Sequence, residues 1–147
     1  MSIASKPLPK GWPRISSSVF YVDAAAAIDW LCKAYGFEIR IKIEGDGGTI
    51  AHSELELGGG LIMVGDARRA DRPHQKSPKE LAGANTQVMF AYVDDVDAHC
   101  ERARKGGATI HKEPTTTDYG EDYWSDRSYE AIDPEGHHWY FAQRLRG

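Results

Sequence analysis

The stretch YVDDVDAHC, at residues 92–100, determines the fold because it begins with the same three residues as YVDAAAAID at residues 21–29. Further identities occur at the same spacing of 71 residues: Ala27 and Ala98, Gly36 and Gly107, and Ile39 and Ile110. A fixed spacing of this kind indicates one structural unit used twice. We therefore predict two copies of the same unit in one chain.

Each copy is predicted to run strand, helix, strand, strand, strand. The first strands, at residues 16–22 and 88–93, end at Asp23 and Asp94, which can cap the helices that follow. Glycine at residues 36 and 106–107 suits a left-handed helix end. The predicted helix faces are Ala25, Ile28, Cys32 and Tyr35, then Val96, His99, Cys100 and Ala103. The remaining strands are predicted at residues 37–44, 50–57 and 61–64, then at 109–112, 127–132 and 137–142.

The repeat also predicts the domain organisation. Residues 1–13 carry three prolines and are predicted to form an N-terminal arm. Residues 14–147 then form one domain, with a first module at about 14–66 and a second at about 87–144. The polar segment between them, residues 67–86, is predicted to be a linker with a capping box from Ser77 to Glu80.

Composition narrows the class of protein. The 147 residues carry 18 Lys and Arg against 22 Asp and Glu, a net charge of −4, which argues against nucleic-acid binding. No run reaches the roughly 18 apolar residues of a membrane span, so we expect no membrane association and a cytoplasmic protein. Cys32 and Cys100 fall in predicted helices, which favours reduced thiols over a disulfide.

Two motifs resemble those of the vicinal oxygen chelate superfamily: YVDDVDAH at residues 92–99 and DPEGHHWYF at residues 133–141. That superfamily includes glyoxalase I, bleomycin-resistance and fosfomycin-resistance proteins, and extradiol dioxygenases. The resemblance implies an α+β fold of two βαβββ modules, whose curved mixed sheet surrounds a concave cavity with the helices on its convex side. It also implies a homodimer.

Metal-dependent members of that superfamily place His or Glu at four strand positions facing the cavity. The matching positions here hold Ser17, Val88, Tyr140 and either Met63 or Val64. None of these supplies the carboxylate, imidazole or thiolate ligands that divalent cations need. We therefore expect no metal ion and no cofactor.

The histidines leave an alternative metal site open. His52, His111 and one of the adjacent His137 and His138 are the candidates, although hydrogen-bonded or solvated strand histidines are the favoured interpretation. His52 and Glu54 lie on one predicted strand face with Ile50 and could supply a general base. Such a row is more often the solvated side of a sheet.

The predicted cavity lining is apolar and aromatic. Strand alternation and the implied register place on it Ser17, Val19 and Tyr21, Val88, Phe90 and Tyr92, and His138 and Tyr140, with Trp139 and Phe141 beneath the helices. A loop from Tyr119 to Tyr129 adds Trp124 and Arg127. These aromatics suit either a flat ligand or packing in the core or at a dimer contact, and both remain open.

The prediction for function is a metal-free protein of resistance or sequestration type that binds a planar hydrophobic or aromatic small molecule. Its expected ligand contacts are Ser17, Val19, Met63, Phe90, Tyr92, Tyr119, Trp124, Arg127, His138 and Tyr140. The alternative is a lyase, isomerase or dioxygenase-like enzyme using His52, Glu54, Tyr140 or a nonstandard metal. A third possibility is a purely structural or interaction module.

Overall fold

The computed structural model describes residues 3–147, so Met1 and Ser2 of the predicted arm lie outside the described residues. The first module consists of β1 (Ser17–Tyr21), α1 (Ala24–Tyr35), β2 (Glu38–Glu44), β3 (Ile50–Leu57) and β4 (Gly60–Asp66). The second consists of β5 (Met89–Tyr92), α2 (Val96–Gly106), β6 (Thr109–Asp118), β7 (Ser125–Ile132) and β8 (His138–Arg146). Short 3-10 turns occur at Asp46–Gly48 and Pro78–Glu80.

The two modules have the same sheet topology. One sheet has the order β1-β4-β3-β2 and the other β5-β8-β7-β6. In each sheet the first and last strands of the module run parallel and the other pairs run antiparallel. This arrangement confirms the predicted α+β class and the two βαβββ modules.

The helix ends follow the repeat with one difference. Gly36 and Gly107 end the helices with φ values of 82° and 104°, a left-handed conformation that favours glycine. Asp23 caps α1 by accepting a hydrogen bond from Ala26 N. In the second module the cap is Asp95, not the predicted Asp94. The Val93 amide donates to the Ala142 carbonyl, so pairing with β8 continues one residue past the end of β5. Helix α2 therefore begins one residue later than predicted.

The two helices share one hydrophobic core with both sheets. The buried face of α1 is Ala24, Ala27, Ile28, Leu31, Ala34 and Tyr35, so the predicted face was rotated: Ala25 and Cys32 are only half-buried. On α2, Val96, Cys100 and Ala103 are buried as predicted. The helices meet closely at Gly106, where an added Cβ would lie 2.6 Å from the Ala34 Cβ. Cys32 and Cys100 are both free.

The core also contains a neutral histidine. His99 of α2 lies between the Tyr129 hydroxyl, 2.6 Å from Nδ1, and the Tyr35 carbonyl, 2.7 Å from Nε2. The carbonyl can only accept, so Nε2 donates to it and Nδ1 accepts from the Tyr129 hydroxyl. Burial lowers the pKa of His99, which favours this uncharged form.

Neither helix within residues 3–147 is long and apolar enough to span a membrane.

One face of each sheet packs on the helices, and the other face is open. Trp139 and Phe141 of β8 are buried as predicted, while Phe90 and Tyr92 of β5 lie on the open face. In β1 the prediction was wrong by one residue. Val19 and Tyr21 belong to the core, so the open face carries Ser18 and Phe20 instead.

Two β-bulges also change the predicted faces. The pairing of β2 with β3 skips Ala51, because Ile43 lies opposite His52 and Glu44 opposite Ile50. Ile50 therefore turns into the core, although the alternation placed it beside His52 and Glu54. Strand β6 also extends through Pro114 to Asp118, well beyond the predicted end at residue 112. Its position at the sheet edge and a register shift accommodate the proline.

The turn between β7 and β8 joins the two modules. The buried Asp133 carboxylate accepts hydrogen bonds from the Tyr21 hydroxyl at 2.6 Å and the Trp139 indole at 3.0 Å. Its other oxygen accepts from the amides of Glu135 and His137. Burial and the adjacent Asp133 carboxylate raise the pKa of Tyr21 well above its usual value. We call residues 133–139 the module clasp.

The module clasp also binds backbone groups of the first module. The Glu135 carboxylate accepts from the amides of Val22 at 2.7 Å and Asp23 at 3.0 Å. His137 Nε2 donates to the Phe20 carbonyl at 2.7 Å. The motif DPEGHHW therefore holds the end of β1 against the start of β8.

We predict that Asp133→Ala destabilises the fold by about 3 kcal/mol, because it leaves the Tyr21 hydroxyl and the Trp139 indole buried without an acceptor. Urea unfolding followed by circular dichroism measures this change. Glu101→Ala, which removes an exposed carboxylate, is the matched control and should change stability by less than about 0.5 kcal/mol. Equal stability of the two variants would contradict the role assigned to Asp133.

Candidate functional site

The second module exposes a group of aromatic side chains on its open sheet face. Phe90 and Tyr92 of β5 are 54% and 50% exposed, and their rings meet edge to face with centroids 5.2 Å apart. Tyr140 of β8 lies beside Phe90 in the strand register. Trp124, just before β7, is 38% exposed. We call Phe90, Tyr92, Trp124 and Tyr140, together with Arg144, the aromatic face.

Arg144 is fixed between two of these rings. Its guanidinium carbon lies 5.3 Å from the centroid of Tyr92 and 5.1 Å from that of Trp124. The buried Asp126 carboxylate accepts from Arg144 Nε at 2.7 Å and from the Tyr92 hydroxyl at 3.0 Å. The Asp126 hydrogen bond raises the pKa of Arg144, so this side chain remains a cation. The rings are thereby held in place before any ligand binds.

The predicted aromatic loop is shorter than expected. Only residues 119–124 connect β6 to β7, and Tyr119 lies beside Trp124 with ring centroids 5.5 Å apart. Tyr129 is fully buried in the core. Arg127 points to the helix side, where its guanidinium pairs with Asp97 of α2 at 2.9 Å. Arg127 and Tyr129 therefore lie apart from the aromatic face.

The first module carries a polar network on its open face. His52 Nε2 lies 2.7 Å from Glu54 Oε2, and Glu54 is only 5% exposed. Arg40 Nε lies 3.3 Å from Glu54 Oε1, at an angle that forms an ion pair but no hydrogen bond. Arg40 also donates to Glu56 and to the Lys10 carbonyl. His52 borders a cavity of about 210 Å³ with Ser18, Phe20 and Met63, which we call the His52 cavity.

A second cavity of about 210 Å³ adjoins the first and shares Ser18 and Phe20 with it. Segment 74–87 and the start of β8 form its other walls, and we call it the linker cleft. Val19 and His138, two of the predicted contacts, border it. The His138 ring lies edge to face with that of His111 at 5.5 Å.

An apolar groove of about 420 Å³ lies where the two modules meet. Its lining contains no charged side chain and includes Phe37, Leu57, Phe90 and Trp139. Ser17 also borders it. Apart from Arg127 and Tyr119, the predicted contact residues are thus divided among three cavities and the aromatic face, and Phe90 belongs to both the groove and that face.

The residues at the implied metal positions do not fit a metal ion. Met63 and Tyr140 face the open sides of their sheets, and Ser18 takes the place predicted for Ser17. Within residues 3–147, no three His, Cys, Asp or Glu side chains come together in a group able to hold an ion. His52 contacts one carboxylate, that of Glu54, and the other oxygen of this carboxylate forms an ion pair with Arg40. The described residues at these positions therefore do not provide the His and Glu ligands of the metal-dependent proteins.

Comparison with known proteins identifies the family. The model of the Glyoxalase/Bleomycin resistance protein/Dioxygenase superfamily matches residues 15–141. The chain belongs to this superfamily. The match covers both modules and the module clasp, so the resemblance seen in the two sequence motifs is confirmed.

Relatives of this superfamily member include two mycobacterial proteins described only as uncharacterized. Rv0887c of Mycobacterium tuberculosis is 31% identical over 138 residues, which cover 91% of this chain and 76% of that protein. Mb0911c of Mycobacterium bovis shows the same identity and is covered to 85%.

Among solved structures, TioX from Micromonospora sp. ML1 is similar, with a TM-score of 0.67 and 30% identity. The similarity covers 89% of this chain and 95% of TioX. A glyoxalase/bleomycin resistance protein/dioxygenase family enzyme from Burkholderia phytofirmans PsJN shares the fold at a TM-score of 0.64 and 18% identity, with 88% and 97% of the two chains covered.

Sequence reasoning missed the residues that organise both open faces. Arg144 was available from the alternation of β8, since it follows Tyr140 and Ala142 on the same face. Asp126 was missed because the strand was predicted to begin at residue 127, whereas β7 begins at Ser125. Arg40 gives no such signal, because it sits at a bulge between Ile39 and Ile41.

Proposed function

We propose that this superfamily member binds a planar, largely apolar small molecule on the aromatic face without the help of a metal ion. The observation that carries the proposal is the Arg144 side chain held between Tyr92 and Trp124 by the buried Asp126. Binding without a catalysed reaction fits a cytoplasmic protein of resistance or sequestration type.

Exposed aromatic side chains in a cluster support this proposal. Single exposed hydrophobic residues are common on protein surfaces, but a group of large rings in fixed positions marks a binding surface. A planar ligand can stack on Phe90 or Trp124, and the Tyr140 hydroxyl can orient it by a hydrogen bond. Phe90 also borders the apolar groove, so an apolar extension of the ligand can continue into that groove.

We also propose that the protein is a homodimer. Among the described strands, β1 and β5 each pair with a single neighbour and leave one edge free. The open faces expose Ile41 and Ile43 in the first module and Phe90 and Tyr92 in the second. A second copy placed over these faces would enclose the aromatic face and exclude water from a ligand bound there.

The ligand proposal predicts that Trp124→Ala weakens binding of a neutral planar probe, 2-naphthylmethanol, by about tenfold, because it removes one wall of the stack. Isothermal titration calorimetry measures the affinity. Ile39→Ala, which removes an exposed apolar side chain from the helix-facing side of the first module, should leave the affinity unchanged. Equal affinities for the wild-type protein and Trp124→Ala would exclude the aromatic face as the site.

The dimer proposal predicts a molar mass in solution of twice the chain mass of 16.3 kDa. Light scattering coupled to size-exclusion chromatography, at several loading concentrations, measures this mass. A single-chain mass at every concentration would contradict the proposal.

A second candidate function rests on His52 and Glu54. A carboxylate can only accept, so the 2.7 Å contact means that His52 Nε2 carries the proton and Nδ1 is free to accept one. Glu54 would stabilise the imidazolium formed when His52 removes a proton from a bound substrate. This arrangement suits a lyase or isomerase that removes a proton from a carbon next to a carbonyl.

If His52 is such a base, His52→Gln should reduce proton exchange of a carbonyl substrate in deuterated water by about a hundredfold, the usual scale for a general base. Proton NMR of a panel of hydroxy-ketones and hemithioacetals measures the exchange. His111→Gln, an exposed histidine of β6 that lines neither the His52 cavity nor the linker cleft, is the control. Equal exchange rates in the two variants would remove the enzyme alternative through His52.

A further inference from the structure

We infer that the His52 cavity and the linker cleft together form a second ligand site, which takes the carboxylate or phosphate group of a small organic anion. This inference stands apart from the proposed binding on the aromatic face, because neither cavity is lined by Phe90, Tyr92 or Trp124. It shares the His52 cavity with the second candidate function. The site lies between strand β1 and the segment at residues 69–76. The two cavities share Ser18 and Phe20 in their linings.

The lining carries a surplus of positive charge in a chain whose net charge is −4. Arg69, Arg72 and Lys76 line the two cavities, against one carboxylate, that of Asp66. Four histidines, which add hydrogen-bonding groups, also line the cavities: His52, His74, His137 and His138. Among residues 3–147, no carboxylate lines the linker cleft. A concave surface with this charge attracts anions.

Of these three cations, only Arg69 is closely paired with a carboxylate of the described chain. Asp66 Oδ2 already accepts from the Ile50 amide at 2.6 Å. Asp71 accepts two hydrogen bonds from Arg69, and its distance of 3.9 Å from Arg72 Nε leaves Arg72 weakly paired. No carboxylate lies within 4.0 Å of the Lys76 ammonium among residues 3–147. Arg72 and Lys76 are therefore available to a ligand.

A buried amide points to the same ligand. Gln75 lies between Arg72 and Lys76 in the sequence, is only 7% exposed and borders the His52 cavity. Its side-chain amide can donate a hydrogen bond to a ligand in that cavity. An anionic oxygen in the cavity would accept from the Gln75 amide nitrogen.

The rest of the lining is suited to the organic part of the anion. Phe20 and Met63 line the His52 cavity, while Pro78, Leu81 and Met89 line the linker cleft. These apolar side chains can contact a ring or a short chain that carries the charged group. A bare inorganic ion would leave them without a partner.

The segment over the site is held in place by the module clasp. Ser77 and Glu80 form a capping box, as the sequence predicts, and the Ser77 hydroxyl donates to Glu135 at 2.7 Å. Asn85 donates to the Gly136 carbonyl and accepts from the His138 amide. The predicted linker is thus a fixed wall, and the site is formed before a ligand binds.

The test uses three probes with the same ring system: 2-naphthoate, 2-naphthyl phosphate and the neutral 2-naphthylmethanol. Calorimetric titrations are carried out on the Trp124→Ala protein, in which the aromatic face is disabled. We expect at least one anion to bind about tenfold or more tightly than the neutral probe, and the preference to fall as salt rises from roughly 0.05 M to roughly 0.5 M. Comparison of the two anions shows which group the site prefers.

Matched double variants locate the anion. Arg72→Gln with Lys76→Gln removes two cations that line the cavities, and we expect it to abolish the preference for the anion. Arg68→Gln with Lys79→Gln makes the same change in net charge at linker residues outside both linings and should retain the preference. Circular dichroism and thermal unfolding confirm that both variants fold.

Two results would overturn the inference: no preference for either anion in the starting protein, or the same preference in both double variants. Neither result affects the proposed function, because the binding of the neutral probe to the wild-type protein tests that function separately.

Discussion

The buried carboxylate of Asp133 is the constraint on which the arrangement of the two modules depends. It joins a tyrosine of the first module to a tryptophan of the second, and Glu135 and His137 add contacts to the backbone of β1. Both of these partners, Tyr21 and Trp139, belong to the core that the two helices fill. Because both helices pack against one face of each sheet, the opposite faces remain open for ligands.

The two open faces have different chemistry despite their common topology. In the second module the side chains are aromatic, and one arginine fixes two of their rings. In the first module the His52–Glu54 pair lies beside cations contributed by the segment between the modules. A duplicated unit has thus acquired two different surfaces, which explains why we assign a planar apolar ligand to one of them and an anion to the other.

The repeat and the positions of Gly36 and Gly107 were sufficient to predict the order of elements, because strand alternation and helix ends are local properties. The faces were predictable only where the strands are regular, as in β5 and β8. Ala51 and Arg40 sit at bulges, which leave no mark on an alternating pattern and which turned Ile50 into the core. The predicted strand ended at residue 112, before Pro114 and the threonines after it, yet an edge strand tolerates proline and favours β-branched residues. The contacts of Arg144 depend on Asp126 and Tyr92, which are distant in sequence.

The module clasp has a consequence for how this sequence can diverge. Glu135 and His137 contact main-chain groups at residues 20, 22 and 23, which every amino acid except proline supplies in full. Substitutions of those partner side chains therefore leave the hydrogen bonds intact, whereas substitutions at residues 133–137 remove them. Selection should therefore act unevenly on the two sides of the contact. Homologues should vary more freely at the end of β1, apart from Tyr21, than in the turn at residues 133–137 that binds it.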